Sequence, residues 1–491
     1  MSSMNTEKNE QQAPSLLRNW TSLIGLIVAI GALFSFFLLF MLDALSKSGN
    51  PYVGILTYCV VPAFLISGIA LTVFGMWRER HHRLRGNLTI PQMQIDLAKP
   101  RDRRVLFIFV LGSLLFIMLS AVGSYNAYHV TESVQFCGET CHKVMKPELT
   151  THDHGPHARV ACVECHVGNG VSWFVKSKIS GSYQLYAVAF NKYPRPIPTP
   201  IKNLRPARET CEECHWPKEF VGNLDRTFNY FQGDASNSPY SIRLLLKVGA
   251  GDPNVLPAGG IHWHILSGNT VEYIATDAAR QKIPWVRLTD ANGIVTVYHA
   301  PKFTNDISKY EIRKMDCMDC HNRPSHRYVP PDFAVNQALA QRKIDPSLPW
   351  IKTNAVFVLT RRYNSDDDAR QGIATALTER YPNDPRLAAA IASVQEIYTN
   401  NFFPEMKADW SKYPDNIGHM IWPGCFRCHD GMHKTDDKKL VIKANDCNSC
   451  HTILAQGAGD EMNRLSPGGQ KFEHPGGDYD GACADCHTGG L

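Results

Sequence analysis

A strong net charge is missing from this 491-residue chain: 51 Lys and Arg stand against 46 Asp and Glu, leaving +5. Nucleic-acid binding, which works through a markedly basic domain, is therefore not expected. The glycine period of collagen is absent, and with 44% hydrophobic residues so is the composition of a disordered chain. Charged side chains are missing altogether from three long runs, Leu23 to Leu42, Tyr52 to Trp77 and Val105 to Ser124. Cysteine is nearly missing before Tyr125, where only Cys59 occurs, and plentiful after it. The chain thus divides into an apolar first part and a cysteine-rich second part.

Each uncharged run is long enough to cross a hydrocarbon layer of ~30 Å, which takes ~20 helical residues. No small-residue cleavage site follows the first run, so it is expected to stay as an anchor rather than be removed as a signal peptide. Lys and Arg in the short loops set the orientation. The second loop holds Arg78, Arg80, Arg83, Arg85, Lys99, Arg101, Arg103 and Arg104, whereas the first holds only Lys47. The second loop and the N-terminus are therefore expected in the cytoplasm. Everything from about Tyr125 to Leu491 is then expected outside, which in a bacterium is the periplasm.

Fourteen of the fifteen cysteines fall in seven pairs, and a histidine directly follows each pair. The sites are Cys137/Cys141/His142, Cys162/Cys165/His166, Cys211/Cys214/His215, Cys317/Cys320/His321, Cys425/Cys428/His429, Cys447/Cys450/His451 and Cys483/Cys486/His487. C-x-x-C-H is the attachment signature of c-type haem, in which two thiols bond the vinyl groups and the adjacent imidazole ligates the iron. Disulfide frameworks and zinc ribbons also use paired cysteines. Neither requires a histidine after every second cysteine, so seven covalent haems are expected. The first site departs from the others in having three intervening residues. Cys59 is expected to be a small apolar residue of the second span.

Low-spin haem iron takes a second axial ligand, His or Met in most cases. Eleven histidines remain outside the motifs and beyond the His81/His82 pair. The candidates are His157, His326, His419, His433, His474 and one of His262 or His264, with His264 preferred. His129, His152, His154 and His299 are weaker candidates.

The expected fold class is a multihaem cytochrome c, mostly α and irregular with a small β-rich insert, anchored by three transmembrane helices. Its expected parts are 1–22, a cytoplasmic N-terminus; 23–124, the membrane anchor; 125–215, a domain with three haem motifs; 216–316, the β-rich insert; 317–410, the fourth motif and a helical insert; and 411–491, a C-terminal domain with three motifs. Alternating apolar runs such as SIRLLLKV, VEYIA, WVRLTD and IVTVYHA carry the β-rich expectation. ATALTERY and RLAAAIASVQEIYTNNF carry the helical one. The proline-rich NKYPRPIPTPIKNLRP is expected to be an extended connector, and Asp366, Asp367 and Asp368 a solvated loop.

A membrane helix, a first haem site with a methionine close behind, PHARVACVECHV and then a basic segment together resemble the NapC/NirT/NrfH family of membrane-anchored quinol dehydrogenases. The likeness covers about Ala121 to His215. With seven motifs and three spans, the chain looks closer to the enlarged heptahaem inner-membrane cytochromes of metal-reducing bacteria. The resemblance implies a quinol-facing lysine at Lys178, in FVKSKISGSY, with Lys176 as its nearest rival. It also implies that Met145, displaced by one residue, ligates the first haem. The acid that should follow the lysine is missing, since no Asp or Glu occurs from Lys178 to Arg208 and Gln184 stands near its place. Asp43 and Glu132 are then the remaining candidates to accept the quinol protons.

The function so implied is oxidation of menaquinol from the membrane quinol pool, with electrons leaving to periplasmic c-type cytochromes in anaerobic respiration, towards extracellular metal acceptors. The lipid bilayer is an expected partner and nucleic acid is not. A multihaem reductase of nitrite, hydroxylamine or a sulfur oxyanion is the competing expectation. An anchoring subunit that hands electrons to a tightly bound enzyme is a third.

Overall fold

The structure, a computed structural model, describes residues 16–17, 19–45, 60–85, 97–139, 142–167, 171–201, 206–216, 220, 222–249, 260–266, 268–303, 306–443, 447–477 and 483–490. They belong to two compact units, one of 1–131 with 167–183 and one of 132–166 with 184–491.

The first unit contains the helices α1 (Trp20–Leu45), α2 (Val61–Leu84) and α3 (Pro100–Glu132). α1 and α2 lie antiparallel and close, because glycines stand where they meet. A Cβ on Gly25 would come within 2.5 Å of the Thr72 amide nitrogen, and one on Gly68 within 2.6 Å of that of Ala29. In lipid, such small residues let two backbones approach and gain packing energy that water-driven burial does not supply. Ser22 Oγ donates to the Thr72 carbonyl at 3.2 Å and Asn19 Nδ2 to that of Gly75 at 3.3 Å. Phe34 on α1, Ile66 on α2 and Phe107 and Ile108 on α3 are all about two-thirds exposed.

Trp20–Phe37 and Val61–Leu84 have the length and apolarity of membrane spans. α2 differs from expectation at its end. It runs on past Trp77, so Arg78, Arg80 and Arg83 lie on the helix rather than in a loop, with Arg83 Nε 2.9 Å from Glu79 Oε1. Leaving the hydrocarbon does not end a helix; only a cap or a breaker does. The expected start of this span, with Cys59, lies outside the described residues. α3 is likewise longer than its uncharged run and, at 33 residues, measures ~50 Å.

In the second unit, α4 (His142–Asp153) follows the first motif; α5 (Val171–Ala189) carries the basic segment and ends in this unit. The β-rich stretch supplies β1 (Leu224–Phe231), β2 (Pro239–Leu246), β3 (Thr270–Ile274), β4 (Trp285–Thr289), β5 (Val295–His299) and β6 (Arg313–Lys314). The last four of these form one antiparallel sheet in the order β5-β4-β3-β6. β1 pairs β2 from Leu224↔Leu246 to Phe231↔Pro239.

Four helices, α6 (Pro331–Ala340), α7 (Ile351–Thr360), α8 (Asp366–Arg380) and α9 (Leu387–Asn401), form the helical insert. Its core is apolar, with Leu339, Leu348, Ile351, Leu359, Ile373 and Leu377 fully buried. The acidic run is not the solvated loop expected of it: Asp366 to Asp368 form the first turn of α8, where the helix dipole favours negative charge, and Ser365 Oγ accepts from the Asp368 amide at 3.1 Å.

The last strand, β7 (His451–Gly457), crosses an expected boundary by pairing with β2. The stretches 216–316 and 411–491 therefore share a sheet. β1 is also tied to the helical insert, since Lys352 Nζ donates to the Phe231 carbonyl at 2.8 Å and pairs with Asp332 at 2.8 Å.

Candidate haem sites

The attachment motifs form single helical turns. Cys162–His166, Cys317–Cys320 and Cys483–Cys486 are short α-helices, and Gly424–Arg427 and Cys447–Ser449 are 3-10 turns. The histidine amide closes the turn on the first cysteine carbonyl: His215 on Cys211 at 2.8 Å, His321 on Cys317 at 2.7 Å, His429 on Cys425 at 3.0 Å and His487 on Cys483 at 2.8 Å. Residues i, i+3 and i+4 then share one side, so two thiols and an imidazole can meet one flat ligand. At the wider first site Cys137 lies on the helix Val134–Glu139, whereas Cys141 and the side chain of His142 lie outside the described residues.

The second cysteines of the motifs do not share the single environment that their identical spacing suggests. Cys165, on the helix Cys162–His166, is half-buried; Cys450, just past the turn Cys447–Ser449, is half-buried too, whereas Cys214 is exposed. The Cys450 carbonyl accepts from the Lys247 amide at 2.8 Å, which fastens the sixth motif to the end of β2. The Cys214 amide is bonded within its own turn, by the Cys211 carbonyl at 3.2 Å. Equal spacing in sequence sets the local turn and leaves the burial of each thiol to the elements around it.

The third and fourth motifs touch, the helix Ala207–Cys211 against Cys317–Cys320, and the neighbouring thiols of Cys137 and Cys211 lower the pKa of Cys162 and Cys317. Among the described residues no cysteine is joined in a disulfide, Cys165, Cys214 and Cys450 included, and no three His, Cys, Asp or Glu side chains converge as a bare metal ion would require. The arrangement therefore matches neither a disulfide framework nor a zinc ribbon.

Two imidazoles on opposite faces of one metal, each bonded at ~2 Å through a nitrogen ~1 Å from its ring centre, have centres ~6 Å apart. Six motif histidines have a second imidazole at that spacing. The centre-to-centre distances are 6.2 Å for His166 and His326, 6.1 Å for His215 and His157, and 6.3 Å for His321 and His262. They are 5.8 Å for His429 and His264, 6.3 Å for His451 and His419, and 6.0 Å for His487 and His474. The residues present thus fit c-type haem with two axial histidines.

Hydrogen bonds through Nδ1 orient several of these rings and leave Nε2 available, as a ligand needs. His157 Nδ1–H donates to the Pro324 carbonyl at 3.0 Å, His326 to Glu148 at 3.0 Å, His264 to Ile261 at 2.8 Å, and His262 to Val248. His474 differs: its Nδ1 lies 3.0 Å from the Gly476 amide, which donates to it. Burial lowers the pKa of His419, and burial with the facing imidazole lowers those of His429, His451 and His487. His326 is pushed down to about 4 by burial and by His166, so it stays neutral and able to ligate far into acid. Nearby, Arg323 lies 3.9 Å over the Tyr413 ring, and burial pushes the Glu148 carboxyl up to about 7.

One expected ligand is withdrawn. His433 is almost fully buried, with Nδ1 2.9 Å from Asp430 Oδ1 and Nε2 2.7 Å from the Ile283 carbonyl, so neither nitrogen is left for iron. His262, passed over in favour of His264, is paired as well, and the sign was already in the sequence: IHWH offers two imidazoles to two motifs. Of the weaker candidates, His152 is committed to Asp153 and the Val160 carbonyl, His154 is exposed and bonded to Thr150, and His299 faces Asp436. The side chain of His129 lies outside the described residues.

Positions 142 and 145 stand three apart in α4, on one face of the helix, and Met145 is half-buried. Two residues so placed approach a metal from the same side rather than from opposite faces. Lys178 lies on α5, but its side chain is outside the described residues. Its rival Lys176 rests 4.6 Å over the ring of Trp173, a cation–π contact. Glu132 is buried, and the side chain of Asp43 is outside the described residues.

Residues 99–196 match the NapC/NirT cytochrome c family, N-terminal region. The chain is 42% identical, over 96% of its own length and 95% of the other's, to the cytochrome c-type protein ImcH of Geobacter sulfurreducens. It is 30% identical to the cytochrome c-type protein NrfH of Wolinella succinogenes, over 26% of this chain and 72% of that one. No solved structure matches the chain.

Proposed function

We propose, from the premise that this chain belongs to the NapC/NirT cytochrome c family, that it is an inner-membrane heptahaem cytochrome that oxidises menaquinol and passes electrons to periplasmic cytochromes. The acceptors beyond those cytochromes are extracellular metals, in anaerobic respiration. The observation that carries this reading is the set of six imidazole pairs, each made of one motif histidine and one distant histidine. A reductase would need an iron face without a protein ligand, and at the six sites that have such a pair it would occupy both faces.

When bound, haem supplies a one-electron iron couple whose potential follows its axial ligands. The chain's own side chains do the rest. Both thiols of each motif would hold the macrocycle, the exposed Cys214 as well as the half-buried Cys165 and Cys450. At the six sites that have one, the paired imidazoles would be the residues that hold the iron. Quinol releases two electrons and two protons, and the electrons leave one at a time to two one-electron acceptors. A Lys178 ammonium donates a hydrogen bond to the quinol oxygen and stabilises the negative charge left when a proton departs. Proton acceptance falls to a group other than an acid just after this lysine, because 178–208 holds none. The aromatic and basic mixture of Trp173, Lys176 and Tyr183 on α5 suits the membrane interface, where quinol heads reside. The periplasmic placement of the haem sites is supported by the eight Lys and Arg from Arg78 to Arg104, which stand at the end of α2, at the start of α3 and between them.

Intact-mass analysis of the purified protein is expected to show seven covalent haems. A count of six, with Cys137 and Cys141 unmodified, would remove the first site. No covalent haem at all would overturn the function.

A further inference from the structure

We infer that the fourth and fifth haem sites are built as one locked pair, joined on the distal side by the segment His262-Trp263-His264 and on the attachment side by Arg427. The inference rests on the reading that each imidazole pair holds one haem. His262 faces His321 of the fourth motif at 6.3 Å, and His264 faces His429 of the fifth at 5.8 Å. A single residue, Trp263, separates the two distal histidines. Two residues of chain span at most ~7 Å, so the two distal imidazoles spring from neighbouring points of one backbone. Neither is loose: His262 Nδ1 is held by the Val248 carbonyl and His264 Nδ1 by that of Ile261. Trp263 stands edge-on to His264 at 5.7 Å.

On the attachment side the lock is made by spacer residues, which C-x-x-C-H chemistry leaves unspecified. Arg427, between Cys425 and Cys428, donates from Nη2 to the carbonyl of Asp319 at 2.8 Å, and Asp319 lies between Cys317 and Cys320. Its Nη1 donates to the Arg280 carbonyl at 2.9 Å and its Nε to that of Gly424 at 2.8 Å. Asp319 is itself fixed. It is almost fully buried, its carboxylate accepts from Arg280 Nη1 at 3.1 Å, from the Asp316 amide at 2.8 Å and from the Tyr273 hydroxyl, and its carbonyl also takes Asn416 Nδ2 at 2.9 Å. A planar guanidinium with three of its donors committed is a stiff strut, which an ammonium at the same place reproduces only in part. Arg427 is thus a positioning residue. It holds one attachment turn against the next, so that two sites keep one separation and orientation whatever the oxidation state.

The test uses the full-length holoprotein. In the oxidised state, paramagnetic resonance is expected to show two low-spin centres broadened by each other, and Arg427→Gln is expected to weaken that broadening while intact mass still shows every haem. Arg427→Lys should restore part of it. His262→Met and His264→Met should each convert one haem, and a different one, to His/Met ligation, and the double variant should convert two. Conversion of only one haem in the double variant would overturn the inference and leave the electron-transfer reading standing, as would unchanged broadening in Arg427→Gln. A protein with no covalent haem would overturn both.

Discussion

Replacing Lys178 by leucine is expected to slow reduction of the protein by a menaquinol analogue ~10- to 10²-fold. Removing a donor from a developing oxyanion costs ~10²- to 10³-fold in enclosed sites, and a site at the membrane surface, partly hydrated, falls below that. Dithionite bypasses quinol, so its reduction of the same variant should keep the wild-type rate. The pair of measurements separates loss of quinol chemistry from damage to the haem sites. Wild-type quinol kinetics in Lys178→Leu would make the lysine a lipid-headgroup contact, as snorkelling lysines often are. Lys176 would then be the next position to test.

A second large effect is expected at the distal ligands. His326→Met exchanges an imidazole for a thioether opposite His166, and Met/His ligation raises haem potential relative to two histidines. Axial ligands tune haem potentials over ~0.8 V in all, so one of the seven haems should move up by roughly 0.1 to 0.3 V in a redox titration. His433→Met is the control. Both its nitrogens are bonded within the protein, so no potential should move, although the loss of two buried hydrogen bonds should lower the melting temperature. A shift in His433→Met as large as that in His326→Met would put His433 back among the ligands.

The two histidines also show which features the sequence made legible. Attachment sites were readable because two thiols and a histidine must be contiguous to meet one haem, and contiguity is what a sequence displays. How deeply each thiol sits was not readable, since Cys214 and Cys450 occupy the same place in their motifs and differ in exposure. Distal ligands were readable only as a residue type. His326 faces a histidine 160 positions earlier in the chain, and nothing local in NRPSH names that partner. His433 looked equivalent, lying four residues beyond His429, yet Asp430 three positions before it captures its ring. The uncharged runs were legible, but not the ends of their helices, because α2 and α3 continue as helices beyond the uncharged residues. β7 was hidden for a different reason. It begins at His451 itself, so a residue already assigned to haem chemistry also opens a strand, and its partner β2 lies some two hundred residues earlier.

The central claim is that electrons enter this chain from quinol. Anaerobic mixing of the purified full-length protein with a menaquinol analogue, followed in the haem absorption bands, tests it most directly. The haems are expected to become reduced, and Lys178→Leu to slow that reduction. Haems that stay oxidised with the quinol but are reduced at once by dithionite would contradict quinol oxidation and leave only a carrier of electrons from some other donor.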